Sequence, residues 1–298
     1  MGGVTTPELV LAVSGAGGLG MLSVAGRPPL RIALEAVRDA VEGPFGVGFF
    51  ARGIDEDVLG LIERCAETAR VVELFWGTPD PELVDRIHAG GALAFWQSGS
   101  REELLAAVDA GCDAIVAQGV EAGGHVRGSL PLLALLDAVL DDVDVPVIAT
   151  GGIASGRAMA AALAAGAAAV RIGTRFVATT ESGAHPEYLA ALVAASGEDT
   201  VLTTAFELGW PDAPHRVLSS ALAAAEATDR EVIGTGRDGE ETWQVRRFAI
   251  NPPTRYVDGE VTAMALYCGQ GVGAIEAVLP AAEVVARIAA DAERLLAH

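Results

Sequence analysis

The residues best suited to bind a ligand and transfer a proton lie in one nine-residue segment with two adjacent glycines and one histidine. Its sequence is Ala117-Gln118-Gly119-Val120-Glu121-Ala122-Gly123-Gly124-His125. Gly123 and Gly124 lack a Cβ, so the backbone can come close to a flat ligand. His125 is the side chain of this segment that can gain or lose a proton near neutral pH. The pattern predicts a cofactor held against a proton-transfer group. The alternative interpretation is a glycine-rich turn with a surface histidine.

Two further glycine-led turns each follow an apolar segment and open a helical pattern, Gly151-Gly152-Ile153-Ala154-Ser155 and Gly173-Thr174-Arg175-Phe176. Backbone N–H groups at the start of a helix suit a phosphate, and Thr174 adds a hydroxyl donor. The two turns therefore predict a phosphate site, although two ordinary glycine turns are the simpler alternative.

The elements that would position these residues are short apolar strands alternating with helical patterns. The pattern predicts strands over residues 19–23, 45–50, 71–75, 92–96, 113–117, 146–150 and 168–172. It predicts helices over residues 6–14, 29–41, 56–68, 81–89, 101–110, 129–140 and 155–165. Strands that alternate with helices pair in parallel through right-handed crossovers.

These elements predict an α/β fold, a TIM-type (β/α)8 barrel whose phosphate turns would follow strands seven and eight. The chain opens on a helix after Met1-Gly2-Gly3, so we expect the first strand to be missing upstream. An open doubly wound sheet is the alternative, but the glycine cluster at residues 15–20 follows a helix, the wrong order for its fingerprint. We expect the barrel at residues 1–196, an excursion or lid at 197–262, and a returning C-terminal segment at 263–298.

Composition excludes several classes of function. The formal charge of −20 over 298 residues argues against nucleic acid and anionic membrane surfaces as partners. No apolar run reaches the roughly 18 uncharged residues of a membrane span. Three scattered cysteines suggest the reduced thiols of a cytoplasmic protein, and no histidines and cysteines have the spacing of a metal site.

Taken together, the motifs resemble those of nitronate monooxygenases, formerly called 2-nitropropane dioxygenases. The resemblance covers essentially the whole chain and rests on the Gln-Gly-x-Glu-Ala-Gly-Gly-His segment, Gly-Gly-Ile-Ala, Gly-Thr-Arg-Phe, Thr6-Pro7-Glu8-Leu9, Pro44-Phe45-Gly46-Val47, residues 181–186 and Tyr267-x-Gly269-Gln270. It implies a barrel that holds non-covalent FMN and oxidises alkyl nitronates, and in some cases neutral nitroalkanes, with molecular oxygen.

The resemblance also implies roles for single residues. His125 would be the catalytic base, Arg171 would pair with the phosphate or lie beneath the flavin ring, and Gly48 stands where the family nearly always has Asn. The other cofactor contacts would be Gly2 and Gly3 against the ring, Gln118, Gly123 and Gly124 along the flavin, and Gly151, Gly152, Gly173 and Thr174 at the phosphate.

Three classes of function stay open from the sequence. A nitronate-oxidising flavin enzyme is favoured, because no side-chain cluster marks a dinucleotide site. An NAD(P)H-dependent flavin reductase of the enoyl thioester or quinone type is the alternative, because enoyl-acyl-carrier-protein reductases share a similar Gly-Gly-His loop. A flavin-free relative with a binding role is the third. The predicted partners are a small nitronate or nitroalkane and O2, and the oligomeric state stays unpredicted.

Overall fold

The computed structural model describes residues 1–23 and 29–297. Seven parallel strands form one sheet in chain order, and each is hydrogen-bonded to its neighbour in that order. Within the described residues no ladder joins the first strand to the last. The strands of this region are β1 (Gly20–Ser23), β2 (Phe45–Phe50), β3 (Val71–Phe75), β4 (Leu93–Ser98), β5 (Ala114–Gln118), the short β6 (Gly124–His125) outside the sheet, β7 (Val147–Thr150) and β8 (Ala169–Arg171).

A helix precedes β1, and helices connect the successive strands of the sheet. They are α1 (Pro7–Gly15), α2 (Leu30–Ala40), α3 (Glu56–Ala66), α4 (Pro81–Ala89), α5 (Arg101–Asp109), α6 (Leu132–Val139), α7 (Gly156–Ala164) and, after β8, the short α8 (Thr174–Val177). All seven predicted strands and all seven predicted helices are present. The largest shift is at α6, predicted from residue 129, because Pro131 at its N-cap keeps the preceding residue out of helical geometry.

Local capping explains several of these helix starts. The Thr6 hydroxyl accepts the N–H of Leu9 at 3.1 Å, and the Ser100 hydroxyl accepts that of Glu103 at 3.3 Å. Each bond satisfies a backbone donor that the first helical turn leaves without a partner, which contributes about 1 kcal/mol.

The main core lies between the sheet and its helices. Ile62, Ile87 and Leu104 on the helices and Leu74 and Ile115 on the strands have no exposed surface. Burying each such side chain stabilises the fold by roughly 1.5–3 kcal/mol. Residues that alternate with these along the strands face the opposite side of the sheet, where Glu73, Gln97, Gln118 and Arg171 line a cavity. The architecture is a TIM-type α/β fold, as the sequence predicts. The additional strand expected upstream stays a prediction.

The rest of the chain adds two small antiparallel sheets and three helices. One sheet has the order β6-β10-β9 and the other β12-β11-β13. None of these strands was predicted from the sequence, and the proposed division at residues 196 and 262 stays a prediction. The elements are α9 (Pro186–Ala194), β9 (Thr200–Thr203), β10 (His215–Leu218), α10 (Ser219–Ala227), β11 (Val232–Asp238), β12 (Glu241–Arg246), β13 (Val257–Gly259) and α11 (Ala281–Leu296).

Across residues 1–23 and 29–297, every helix is too short or too polar to cross a bilayer.

Candidate functional site

A cavity of about 610 Å³ opens on the inner side of the sheet. That volume lies within the roughly 300–1,000 Å³ of small-molecule and cofactor sites. Gly3, a predicted contact, is absent from its lining, because the direction of its missing Cβ points at the ring of Pro252, 3.3 Å away. The other predicted site residues all line the cavity, namely Gly2, Gln118, Gly123, Gly124, His125, Gly151, Gly152, Arg171, Gly173 and Thr174.

The backbone of His125 is held by the excursion. His125 lies in β6, opposite His215 of β10 in an antiparallel register. The next N–H, of Val126, donates to the carbonyl of Pro214 at 2.8 Å. A residue on a paired strand is placed more reproducibly than one in a free loop. The glycine loop and the excursion therefore form one structural unit at the cavity.

The ring of His125 lies among aromatic side chains. It stacks on Trp210 with centroids 4.3 Å apart and planes 21° apart, and Trp76 and Tyr267 approach it at 5.8 Å. Its Nε2 is buried and has no hydrogen-bond partner in the described structure. An unsatisfied buried polar atom costs roughly 1–3 kcal/mol. The residue lines the cavity, whereas Nε2 itself has almost no accessible surface and lies among the surrounding side chains.

The charge state of His125 follows from its surroundings. Burial lowers the pKa of His125 to about 3, with smaller contributions in the same direction from His215 and Arg52. The imidazole is therefore neutral over the ordinary range of pH. In the neutral form one ring nitrogen carries a lone pair and can accept a proton.

His215 has a backbone partner at each ring nitrogen, which fits a structural role. Its Nδ1 lies 2.8 Å from the carbonyl of Ala213, and its Nε2 accepts the N–H of Phe206 at 3.3 Å. These partners assign the ring proton to Nδ1. Burial lowers the pKa of His215 as well, so two neutral imidazoles face each other with centroids 5.5 Å apart.

The two glycines before His125 serve different purposes. A Cβ on Gly123 would lie 2.4 Å from the backbone nitrogen of Gly269, so this glycine permits close packing of the closing segment. Gly124 has open space around its Cβ position but a φ of 74°, which side-chain-bearing residues rarely adopt. The sequence predicted that both glycines make room for a ligand. Gly123 does line the cavity, but its missing Cβ makes room for the backbone of Gly269.

The two glycine-led turns meet at the cavity. Gly151 and Gly152 have φ values of 111° and 68°. A Cβ on Gly173 would meet only Met1, at 3.7 Å or more, so the cradle beside this turn is open. The hydroxyl oxygen of Thr174 accepts the N–H of Gly269 at 2.9 Å, and its own proton remains available to a ligand oxygen. The turns fit a small anionic group such as a phosphate.

Charged side chains inside the barrel form a cluster that sequence reasoning missed. The Arg171 guanidinium forms an ion pair with Glu73 and donates to Oε1 of Gln97. The Glu73 side chain is 4% exposed, and burial raises the pKa of this carboxyl while Arg171 opposes the rise. The guanidinium is thus held by side chains of β3 and β4. A lone glutamate in the apolar run of β3 was the signal for this cluster.

Three further residues contact the site or cap a helix. Trp210 lines the cavity and stacks on His125. The Glu121 carboxylate accepts the N–H of Leu132 at 3.0 Å and so caps α6. Nδ1 of His185 accepts the N–H of Glu187 at 3.1 Å and so caps α9. Among the described residues, no three His, Cys, Asp or Glu side chains are grouped to hold a metal ion.

Comparison with known proteins decides the family. The model of the nitronate monooxygenase family matches residues 1–58 and 57–291. The chain belongs to this family. A probable nitronate monooxygenase of Staphylococcus aureus is 32% identical over 69% of this chain and 71% of its own length. A solved structure of nitroalkane oxidase from Streptomyces ansochromogenes has 30% identity and a TM-score of 0.74, covering 98% of this chain and 93% of its own.

Other proteins similar to this chain are named for different activities. A Rhodococcus jostii protein named (3aS,4S,5R,7aS)-5-hydroxy-7a-methyl-1-oxo-octahydro-1H-indene-4-carboxyl-CoA dehydrogenase is 33% identical, covering 98% of this chain and 90% of its own length. FabK from Thermotoga maritima has 30% identity and a TM-score of 0.77, covering 100% of this chain and 92% of its own. The nitronate monooxygenase family and its relatives are oxidoreductases, and this chain is an enzyme of that class. The predicted family is confirmed.

Proposed function

We propose that this enzyme binds FMN and oxidises alkyl nitronates with molecular oxygen, with the imidazole of His125 as the base. One observation carries the proposal. A neutral imidazole with an unpartnered, buried Nε2 forms part of the wall of a cavity whose other walls include two phosphate-sized glycine turns. Membership of a flavin-dependent family supports the same chemistry.

FMN, with one phosphate, fits the site better than FAD. The turns at Gly151-Gly152 and Gly173-Thr174 form one anion cradle, and Gly2, Gln118, Gly124 and Arg171 would border the ring system. The flavin, when bound, supplies the acceptor for one electron or a hydride, which side chains lack. Release of the cofactor and its identification by mass test this assignment.

The chain's own part in the reaction is to hold the substrate and to move a proton. A neutral nitroalkane must lose its α-proton, and the neutral imidazole of His125, a residue that lines the cavity, can accept it. An imidazole with so low a pKa is a weak base in the empty cavity. The nitronate anion that forms beside it favours the imidazolium, because opposite charges at close range raise the pKa of the ring. A preformed nitronate needs no such transfer.

The two forms of substrate test the role of His125. We expect His125→Asn to retain FMN, to lose about 10²–10⁴-fold of its turnover with a neutral nitroalkane, and to keep most of its turnover with the corresponding nitronate. Flavin occupancy is measured by absorbance in the same samples. Equal losses with both forms at full occupancy would show that His125 is not the base.

A second candidate is the flavin reductase of the enoyl thioester or quinone type, with NADH or NADPH as the electron donor. It is supported by the Rhodococcus jostii relative, which is named for a carboxyl-CoA substrate and covers 98% of this chain. The aromatic rings around His125 suit an apolar substrate body in either case. Reduction of the bound flavin by NADPH without oxygen would favour this candidate. The three buried, unpaired cysteines fit the reducing cytoplasm as the site of either activity.

A further inference from the structure

The side chain of Gln118 is bonded to the backbone of the segment that carries His125. Gln118 ends β5 and is 3% exposed. Its Nε2 donates to the carbonyl oxygen of His125 at 2.9 Å, and its Oε1 accepts the N–H of Arg127 at 3.0 Å. The carboxamide thus binds the residues on both sides of Val126, much as a neighbouring strand would.

These two bonds fix the orientation of the carboxamide. A primary amide has two N–H donors and one oxygen with two lone pairs. One N–H and one lone pair are used by the backbone of His125 and Arg127, so the amide plane cannot rotate toward another partner without breaking a bond. The resemblance implies that Gln118 contacts the flavin, whereas these hydrogen bonds point first to the histidine segment.

Neighbouring contacts make the same segment rigid beyond His125. The Arg127 guanidinium forms a bidentate ion pair with Glu103, at 2.6 and 2.8 Å, and the Ser98 hydroxyl also donates to Glu103. The guanidinium of Arg127 lies 5.5 Å from the ring centroid of Trp76. Arg127 is therefore anchored by its side chain, while the peptide that follows His125 is anchored by Gln118.

We propose that Gln118 is a positioning residue for His125, which sets the orientation of the imidazole at the cavity. The inference rests on the proposed function of His125 as proton acceptor. Holding the His125 carbonyl limits rotation of the peptide that carries the ring, and the stack on Trp210 then limits the ring itself. Misplacement of a catalytic group by about 1 Å can cost on the order of 10²-fold in rate.

A double-mutant cycle tests this coupling. Gln118→Met keeps the length of the side chain and removes both polar atoms. At full FMN occupancy we expect roughly a 10–100-fold loss of kcat with a neutral nitroalkane, with little change in KM. Added to His125→Asn, Gln118→Met should cost less than about twofold more, because its effect passes through the missing ring.

Gln97→Met is the matched control. Gln97 is also a buried glutamine that lines the cavity, and it contacts Arg171 rather than the histidine segment. The fold-loss of kcat caused by Gln97→Met should multiply with the fold-loss caused by His125→Asn. If Gln118→Met does not fold, Gln118→Glu replaces it, since it keeps the acceptor for Arg127 and turns the donor to His125 into a carboxylate oxygen that repels the His125 carbonyl.

An NMR readout is independent of turnover. The imidazole resonances of His125, assigned from His125→Asn, should shift or broaden in the Gln118 variant, with and without FMN, while those of His215 stay in place. If His125→Asn itself leaves nitroalkane turnover intact, the proposed function fails, and the imidazole spectrum still decides the role of Gln118. Unchanged His125 resonances, or losses that multiply in the cycle, would overturn the inference and leave Gln118 as a flavin contact.

Discussion

The imidazole of His125 lies almost flat against the indole of Trp210, with centroids 4.3 Å apart and planes inclined by 21°. The guanidinium of Arg52 lies over the same indole, 4.5 Å from its centroid. Trp210 thus contacts both a neutral ring and a cation at the cavity. Because the two residues are 85 positions apart in the chain, this contact makes the excursion part of the site.

Removing the indole should change the proton affinity of His125. In Trp210→Leu, water would reach the imidazole, and the pKa of His125 should rise from about 3 toward its ordinary value of 6.5. An NMR titration of the histidine ring measures the change. Trp96→Leu is the control, because Trp96 is equally buried but belongs to the main core. A pKa that stays low in Trp210→Leu would show that other groups bury the ring.

The low pKa of His125 also makes stability depend on pH. The folded-state pKa lies below the unfolded value, so the unfolded chain binds the proton first, and stability falls as pH drops from about 6.5 toward 3. At pH 5 this contribution is a loss of about 2 kcal/mol. Urea unfolding of the flavin-free protein measures the free energy of unfolding at pH 7.5 and pH 5.0. The decrease between the two pH values should be larger for wild type than for His125→Asn. Equal losses would contradict the assignment.

Substitutions at Glu73 and Arg171 should have strongly non-additive effects on the free energy of unfolding. Arg171→Met leaves the Glu73 carboxylate buried without its cation, which should cost about 3–5 kcal/mol of unfolding free energy. Adding Glu73→Gln should recover much of that loss. In the exposed pair of Arg246 with Glu231, Arg246→Met should cost less than about 1 kcal/mol. Additive effects of the two interior substitutions would contradict the coupling.

Gly48 should tolerate the asparagine that the family usually has there. A Cβ at Gly48 would meet only the Leu22 carbonyl at 3.7 Å and Glu73 Oε1 at 4.0 Å, which are ordinary contacts. We expect Gly48→Asn to retain FMN and to change stability by less than about 1 kcal/mol. Gly46→Asn on the same strand is the contrast. Its Cβ would lie 2.4 Å from Met21 Sδ, which can move, and 3.2 Å from Val71 Cβ on the neighbouring strand, which has less freedom, so overpacking should destabilise it by about 1–3 kcal/mol. Loss of FMN by Gly48→Asn would show that the glycine is required.

Much of the barrel could be predicted because its signals are local. Each strand of the sheet is a short apolar run such as β5, and most helices begin at a capping residue such as Ser100. The turns after β7 and β8 were identifiable because glycine there follows a strand and precedes a helix. Because parallel strands bring their carboxyl ends to one edge of the sheet, these local signals also predict that the turns lie together at the candidate site.

The contacts that complete the site depend on long-range pairing. The strand β6 has two residues, too few for a periodic pattern, so its pairing with β10 had no local signal. The stack of Trp210 on His125 follows from that pairing. The ion pair of Glu73 with Arg171 joins β3 to β8 across the interior, and a sequence shows each charge without showing that they meet.

Anaerobic reduction of the bound flavin tests the central proposal most directly. FMN-loaded enzyme is mixed without oxygen with an alkyl nitronate in one experiment and with NADPH in another, and flavin absorbance is followed by stopped flow. We predict that the nitronate bleaches the flavin within the time of a turnover, that NADPH does not, and that oxygen restores the colour. Bleaching by NADPH alone, with the flavin left oxidised by the nitronate, would contradict nitronate oxidation and favour the thioester reductase.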